Sequence, residues 1–404
     1  MTNRPYDHFS VTEVVNAIGY ATRVGGSCPS EDILQAMYTA NQAYVEIDDL
    51  QAAAWSLIAR CTGAQAGIVT SGAAAGLTLA AAACLAGNDP DLMERLPDIT
   101  SFPRYEIIYP KPGPFDYDHA LRLAGAHLIE MDYGARDALS QLEARIGPHT
   151  AAIGYQWLQV EESPSIRQLA ALAHRHGLPL IIDAALSLPP VSNLTYFIEC
   201  GADLVTFSGG KHIGGPQASG ILCGREALIR SAWVQMVDMD VRAETWSLRA
   251  WIEDGWIRRP PRHGIGRSMK LGKESIIGLM LALERYLQRD YDAEYEHWRS
   301  IISMIAEGLA DIPGLHVRAL PAAPNGQPYP VLKIRCDKST LGITTQELLN
   351  HLRQLRPKIL LAEDERDRDE ATFFPMCLHP DQVDYIVASV RQITRNAITT
   401  SDFD

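Results

Sequence analysis

Leu-Pro-Leu-Ile-Ile-Asp-Ala-Ala (178–185) and Leu-Val-Thr-Phe-Ser-Gly-Gly-Lys-His-Ile-Gly-Gly-Pro-Gln (204–217) are the stretches from which the fold is read. Each opens as an apolar run of strand length and ends in polar or small residues. Strands that are apolar without alternation are buried on both faces, which is the condition of a parallel sheet covered by helices. The same reading sets these two strands at Leu180–Asp183 and Leu204–Phe207 and picks out Ala66–Thr70, Glu106–Tyr109, His127–Glu130, Ala151–Tyr155 and Gly220–Cys223 as further strands. Between them lie amphipathic segments such as Leu92–Leu96 and Pro164–His176, and His-Gly-Leu-Pro (176–179) ends a helix with glycine before the next strand. The fold class is α/β: a mostly parallel seven-stranded sheet with helices on both faces. Such sheets hold ligands outside the carboxyl ends of their strands.

Beyond Arg258-Arg259-Pro260-Pro261-Arg262 the character changes. A helical pattern runs from Gly272 to about Tyr286. An α+β pattern follows: helix 301–311, strands 315–319 and 330–336, helix 345–355 and a final helix 380–396. The charged run Glu363–Glu370 reads as a solvated loop. The expected organisation is an N-terminal segment at 1–45, a large domain at 46–275 and a small α+β domain at 276–404.

Composition narrows the function. The chain has 404 residues, 47% hydrophobic and 21% charged, with a net charge of -13. That charge argues against nucleic acid as a partner, since phosphate backbones demand clustered cations. The weakly polar run Ala73–Gly87 is shorter than the roughly 18 apolar residues of a membrane span, and the first residues lack the apolar core of a secretory signal. Seven cysteines without CxxC spacing point away from zinc knuckles and disulfide frameworks, so a reduced, cytoplasmic protein without a metal site is expected.

Only seven of the 36 Lys and Arg residues are lysines, so a lysine inside an apolar, glycine-rich stretch stands out. Lys211 lies between Gly209-Gly210 and Gly214-Gly215, 28 residues after Asp183; glycines so close leave little bulk crowding its ammonium and let the backbone wrap a ligand closely. Desolvation lowers a lysine's pKa and makes it a nucleophile toward carbonyls, as in Schiff-base enzymes. A carboxylate at a neighbouring strand end could pair with a protonated pyridine nitrogen, which together make the protein half of a pyridoxal phosphate site. Either residue alone reads more simply, Asp183 as a helix cap and Lys211 as part of a glycine turn; together at strand ends they favour the site. Ile-Val-Thr-Ser-Gly-Ala-Ala-Ala-Gly (68–76) is a strand, a small-residue turn and a helix start, whose free N–H groups suit a phosphate, with Ser71 adding a hydroxyl. Ser208 is a second phosphate candidate or a structural hydroxyl. Nucleotide P-loop, nucleophile-elbow and HExxH motifs do not occur.

With these residues in place, the chain resembles the fold type I pyridoxal phosphate enzymes, in the branch of bacterial selenocysteine synthase and D-glucosaminate-type ammonia lyases. The resemblance rests on Val-Val-Asn-Ala-Ile-Gly-Tyr-Ala-Thr-Arg-Val-Gly-Gly-Ser (14–27), Val-Thr-Ser-Gly-Ala-Ala-Ala-Gly-Leu (69–77), Ile-Asp-Ala-Ala-Leu-Ser-Leu-Pro-Pro (182–190), Gly-Ala-Asp-Leu-Val-Thr-Phe-Ser-Gly-Gly-Lys (201–211) and Gly-Ile-Gly-Arg-Ser-Met-Lys-Leu-Gly-Lys-Glu (264–274). It spans roughly residues 14 to 285. It implies that Lys211 holds the cofactor covalently, that Asp183 pairs with its ring nitrogen, and that Ser71, Gly72, Ala73 and Ser208 surround its phosphate. The N-terminal segment, with Asn16, Thr22 and Arg23, would face the substrate's carboxylate, and Lys270 an anion at a subunit interface. A homodimer or higher symmetric oligomer is expected. One departure stands out: relatives carry a His-Arg pair before Phe/Tyr-Asp, whereas this chain reads Lys111-Pro112-Gly113-Pro114-Phe115-Asp116, with Phe115 the aromatic of the cofactor loop. The substrate is expected to be a small amino acid or amino sugar acid. A lyase releasing a keto acid and ammonia, a racemase or epimerase, and a catalytically silent cofactor-binding protein all remain open.

Overall fold

The computed structural model describes residues 5–111, 117–157, 164–364 and 367–401. Its strands, in chain order, are β1 (Val14–Ala17), β2 (Ala66–Thr70), β3 (Glu106–Pro110), β4 (His127–Met131), β5 (Thr150–Gln156), β6 (Leu180–Asp183), β7 (Leu204–Ser208), β8 (Gly220–Gly224), β9 (Leu315–Leu320), β10 (Val331–Cys336), β11 (Lys358–Asp364) and β12 (Asp367–Phe373). They form two sheets in two compact units, one of residues 27–288 and one of residues 1–26 with 289–404.

The larger unit carries the seven-stranded sheet, in the order β2-β8-β7-β6-β5-β3-β4. Only β8 runs against its neighbours; the remaining pairs are parallel. All seven strands expected from the apolar runs are present, with ends shifted by one residue at most. Every residue of β2, β6 and β8 is buried, which explains why these strands do not alternate. The helix Ala73–Ala86 lies deep in this unit, with ten of its residues buried, so it is apolar all round. Its small side chains permit that depth: a Cβ on Gly76 would stand 2.3 Å from Thr206 Oγ1 on the sheet. The helix Glu31–Ala40 packs along Lys273–Leu287 within the same unit.

The arginine-rich stretch at 258–262 is a strap rather than a bare crossing. Arg258 pairs with Asp89 at 3.2 Å, Arg259 pairs with Asp91 and, at 2.5 Å, with Glu94, and Glu94 also accepts the Arg262 N–H.

The smaller unit has a five-stranded sheet, β1-β11-β12-β10-β9. β1 pairs in parallel with β11, Val14 opposite Lys358 and Ala17 opposite Leu361, and the other pairs are antiparallel. The helices Tyr291–Leu309, Thr345–Gln354 and Val383–Ser401 belong to this unit and share its apolar core. The expectation of a loop at 363–370 is corrected here. Residues on both sides of 365–366 are strand, and the charges lie along it: Glu363 pairs with Arg353, and Glu370 with Lys333 at 2.5 Å. Among the described residues no helix is long and apolar enough to cross a membrane, and all seven cysteines are free thiols.

Candidate active site

Strand register assembles the carboxyl edge of the large sheet. Thr70 of β2 and Ser208 of β7 both pair with Gly220, the first residue of β8, so the three lie in one row. Two strand spacings of about 4.8 Å separate Thr70 from Ser208. Next in the sheet, Thr206 pairs with Asp183, and Asp183 with Gln156. Ser71–Ala73, Ser208, Asp183 and Lys211 therefore issue from the same edge, which is where such sheets bind ligands.

Gly72 joins β2 to the helix Ala73–Ala86 with φ 129° and ψ 164°, a conformation open in practice to glycine alone. Ser71 is half-buried beside it. As at any helix start, the N–H groups of the first turn have no acceptor within the helix, and Gly72 offers no side chain to cap them. The turn is held from below: Thr70 Oγ1 donates to Gly72 O at 2.9 Å, and Thr206 Oγ1 lies 3.1 Å from Ile221 O and 3.3 Å from Ala73 O. β8 presses against it so closely that a Cβ on Gly220 would stand 2.5 Å from Gly72 C and 2.7 Å from Ala73 N.

Asp183 is 4% exposed, and its Oδ1 accepts the Ala185 N–H at 3.0 Å. Its backbone carbonyl accepts the Trp157 N–H at 2.9 Å, which ties the end of β5 to it. Burial pushes its carboxyl above the usual carboxylate range, opposed by the Ala185 N–H and then by the charge of Lys211. Burial likewise pulls the Lys211 amine below its ordinary value, opposed by Asp183. Each group destabilises as an ion through lost water and is partly restored by the other. The result is an amine with more of the neutral, nucleophilic form than a surface lysine, beside a carboxylate with acceptor capacity to spare.

The glycines around Lys211 have a different cause from the one expected. They do not chiefly leave room for the ammonium; they let the loop fold onto itself. A Cβ on Gly210 would meet Gln217 Cα at 2.5 Å, and one on Gly209 would meet Ser219 Oγ at 2.3 Å. Gly209 N–H donates to Ser219 O, Gly215 N–H to Gly209 O and Gly214 N–H to Lys211 O, each at 2.9 Å.

The other expected residues are more scattered. Phe115 falls outside the described residues. Asn16 spends its amide locally, donating to Gly19 O at 3.1 Å and accepting the Ile18 N–H at 3.0 Å. Thr22 and Arg23 lie in the short turn Thr22–Val24, and both are exposed. These three belong to the smaller unit, whereas Lys270 is an exposed residue of the larger one. The sequence reading missed Thr206 and Gly220, which shape the 71–73 turn, and Ser27, which bonds to the Lys211 loop. A threonine two residues before Ser208 on a buried strand, and a glycine opening β8, were the available signals.

This donor set fits pyridoxal phosphate. The buried amine suits the aldehyde, the buried carboxylate a ring N–H, and the uncapped helix start a phosphate, close to a spot that a Cβ at 220 would fill.

Comparison with known proteins agrees with the fold. The chain is 28% identical to a 5'-C-glycyluridine monooxygenase-decarboxylase from a Streptomyces species, over 96% of this chain and 91% of that one. It is also 28% identical to the D-glucosaminate-6-phosphate ammonia lyase of Salmonella typhimurium, over 98% of this chain and all of the other. A solved structure of D-glucosaminate-6-phosphate ammonia-lyase superimposes with a TM-score of 0.81 at 28% identity, covering 98% of this chain and all of that one. The family profile described as SelA: L-seryl-tRNA selenium transferase matches residues 14–250, more than half of the chain. The chain belongs to the SelA family, within the fold type I, pyridoxal phosphate-dependent branch that includes the D-glucosaminate-type ammonia lyases.

Proposed function

We propose that this protein is a pyridoxal phosphate-dependent lyase that acts at Cα of an amino acid or amino sugar acid and eliminates a β-substituent, releasing a keto acid and ammonia. The observation that carries the reading is the buried Asp183–Lys211 pair on the same sheet edge as an uncapped helix start. Full-length similarity to D-glucosaminate-6-phosphate ammonia lyase supports elimination over racemisation.

Lys211 would hold the cofactor, Asp183 its ring nitrogen, and Ser71, Gly72, Ala73 and Ser208 its phosphate. When bound, the cofactor supplies an electron sink for the bonds at Cα. The protein supplies the proton traffic and the orientation. Once substrate amine has taken its place, the Lys211 amine is a base for the Cα proton, because burial holds its pKa below that of a surface lysine. Asp183 is held in one orientation by the Ala185 N–H, so its free oxygen serves a single partner. For a β-hydroxyl substrate the balance is one water lost at elimination and one taken up at hydrolysis, with ammonia as the net leaving group. Arg23 and Lys270, exposed cations, are our candidates for the substrate's anionic groups, together with Asn16 and Thr22.

We also read the protein as a symmetric homo-oligomer. Leu34, Tyr38, Tyr44, Val45 and Ile47 are exposed apolar residues close together in the chain, and the Lys273 ammonium sits 5.0 Å from the Tyr44 ring centroid. Such patches mark contact surfaces. Light scattering that found an active monomer would overturn this.

The deciding experiment is turnover of an amino acid and amino sugar acid panel in deuterated water, after borohydride has been shown to fix cofactor on the Lys211 peptide. Ammonia and keto acid from a β-substituted substrate support the lyase. Recovered substrate carrying Cα deuterium with inverted chirality, and no ammonia, would install a racemase. Oxygen uptake with carbon dioxide release would instead align the chain with its Streptomyces relative.

A further inference from the structure

Ser27 reaches both arms of the Lys211 loop from far away in the chain. Its backbone N–H donates to Gly210 O at 3.0 Å, the residue just before the lysine. Its Oγ donates to Gly215 O at 2.7 Å, on the return arm, across 188 residues of sequence. The side chain is 6% exposed, so neither bond is shared freely with water. Ser27 is delivered by Gly25 and Gly26, which adopt φ of 97° and 68°. The loop's own bonds, Gly215 to Gly209 and Gly214 to Lys211, close it as a ring, and the Gly209 N–H bond to Ser219 O ties that ring to the start of β8.

We propose that Ser27 is a positioning residue for Lys211: it clamps the two arms of the loop so that the amine is presented at a fixed place on the sheet edge. The proposal rests on the reading of Lys211 as the cofactor lysine. Two hydrogen bonds to the two flanks of one residue do what neither could do alone. The N–H bond fixes the approach to Lys211, and the hydroxyl bond stops the return arm from pivoting about it. A small buried hydroxyl is suited to this, since Ser27 itself is almost wholly buried where it meets Gly215 O.

Ser27→Ala keeps the N–H bond and deletes the hydroxyl bond; Ser27→Thr restores a hydroxyl. In protein without cofactor, hydrogen exchange of the 209–217 peptide should quicken roughly five- to tenfold in Ser27→Ala, with the rest of the large unit unchanged. With pyridoxal phosphate added, the pH midpoint of the visible band of lysine-bound cofactor should shift, and its rate of attachment fall by roughly tenfold. Ser27→Thr should move all three readings back toward wild type. If Ser27→Ala fails to fold, Ser27→Cys, close in size and a weaker donor, makes the same comparison. Unchanged exchange at 209–217 with an unchanged midpoint overturns the proposal, and so does acceleration spread evenly over the chain. Wild-type protein that borohydride does not label at Lys211 defeats the cofactor reading instead, which separates the two failures.

Discussion

Replacing Gly220 by alanine tests whether the turn at 71–73 is a phosphate cradle, because it moves that turn without substituting any residue proposed to bind. The added Cβ would stand 2.5 Å from Gly72 C, 2.7 Å from Ala73 N and 2.9 Å from Gly72 O, where ordinary contact begins near 3.4 Å. Both neighbours are backbone, so no rotamer change relieves the clash. The turn and the helix start behind it must retreat by about 0.9 Å, the gap between those distances. Overpacking of this kind costs about 1–3 kcal/mol of stability. A binding group displaced by ~1 Å loses up to about a hundredfold in the interaction it was placed for. The expected outcome is a Gly220→Ala protein that folds with a lower Tm and binds pyridoxal phosphate roughly 10- to 100-fold more weakly, or ~1.4–2.7 kcal/mol.

The assay is an absorbance titration of cofactor-free protein with pyridoxal phosphate and, separately, with pyridoxal. The second ligand lacks the phosphate, so its affinity should change far less. Gly147→Ala is the control, since nothing lies within 4 Å of its Cβ, and it should stay within about 0.5 kcal/mol of wild type. Equal losses for both ligands, or wild-type affinity for pyridoxal phosphate, would refute the cradle.

Asp183→Asn should weaken cofactor binding and remove most activity, because an amide is a far poorer partner for a ring N–H cation; wild-type turnover would show Asp183 to be structural. Asp203→Ala should cost about 2–4 kcal/mol in a denaturant melt, since a buried carboxylate accepting from the Leu180 N–H at 2.8 Å, His174 Nε2 at 2.8 Å and Arg225 Nη1 at 3.2 Å leaves the Leu180 donor unpaired. Glu94→Gln tests the strap at 258–262 through pH. The hydrogen bond from Arg259 holds the Glu94 carboxyl below its ordinary value of 4.5, so its contribution is fully present above 4.5 and is lost as pH falls through the lowered folded value. The variant should therefore be less stable than wild type near pH 7, with the difference shrinking as the pH drops below 4.5; a pH-independent difference would mean that charge plays no part.

The large sheet was legible because its strands are buried on both faces and so stand out as apolar runs. Asp183 and Lys211 were legible for a related reason: charged residues are costly at the ends of such runs, and lysine is rare in this chain. The smaller sheet was less so. β1 has four residues, only half of them buried, and finds its partner β11 more than 340 residues away. β12 opens with Asp367-Arg368-Asp369-Glu370, whose charges hide a strand because its first residues are exposed and only Ala371 and Phe373 reach the core. No local pattern encodes a strand whose register is set by so distant a neighbour.

The glycines show why a residue type can be noticed correctly and explained wrongly. Gly209 and Gly210 were read as space around an amine, yet a Cβ at either would clash, at Gly210 with the Gln217 backbone and at Gly209 with Ser219, while Gly215 sits close against Leu279. The difference matters for mechanism. A lysine in open space would be mobile, and burial alone would then set its reactivity. A lysine on a loop closed by three internal hydrogen bonds and clamped by Ser27 has little freedom left in its backbone. Its remaining motion is that of its own side chain, which is the motion the proposed chemistry needs: far enough to yield its place to substrate and near enough to take a proton from Cα.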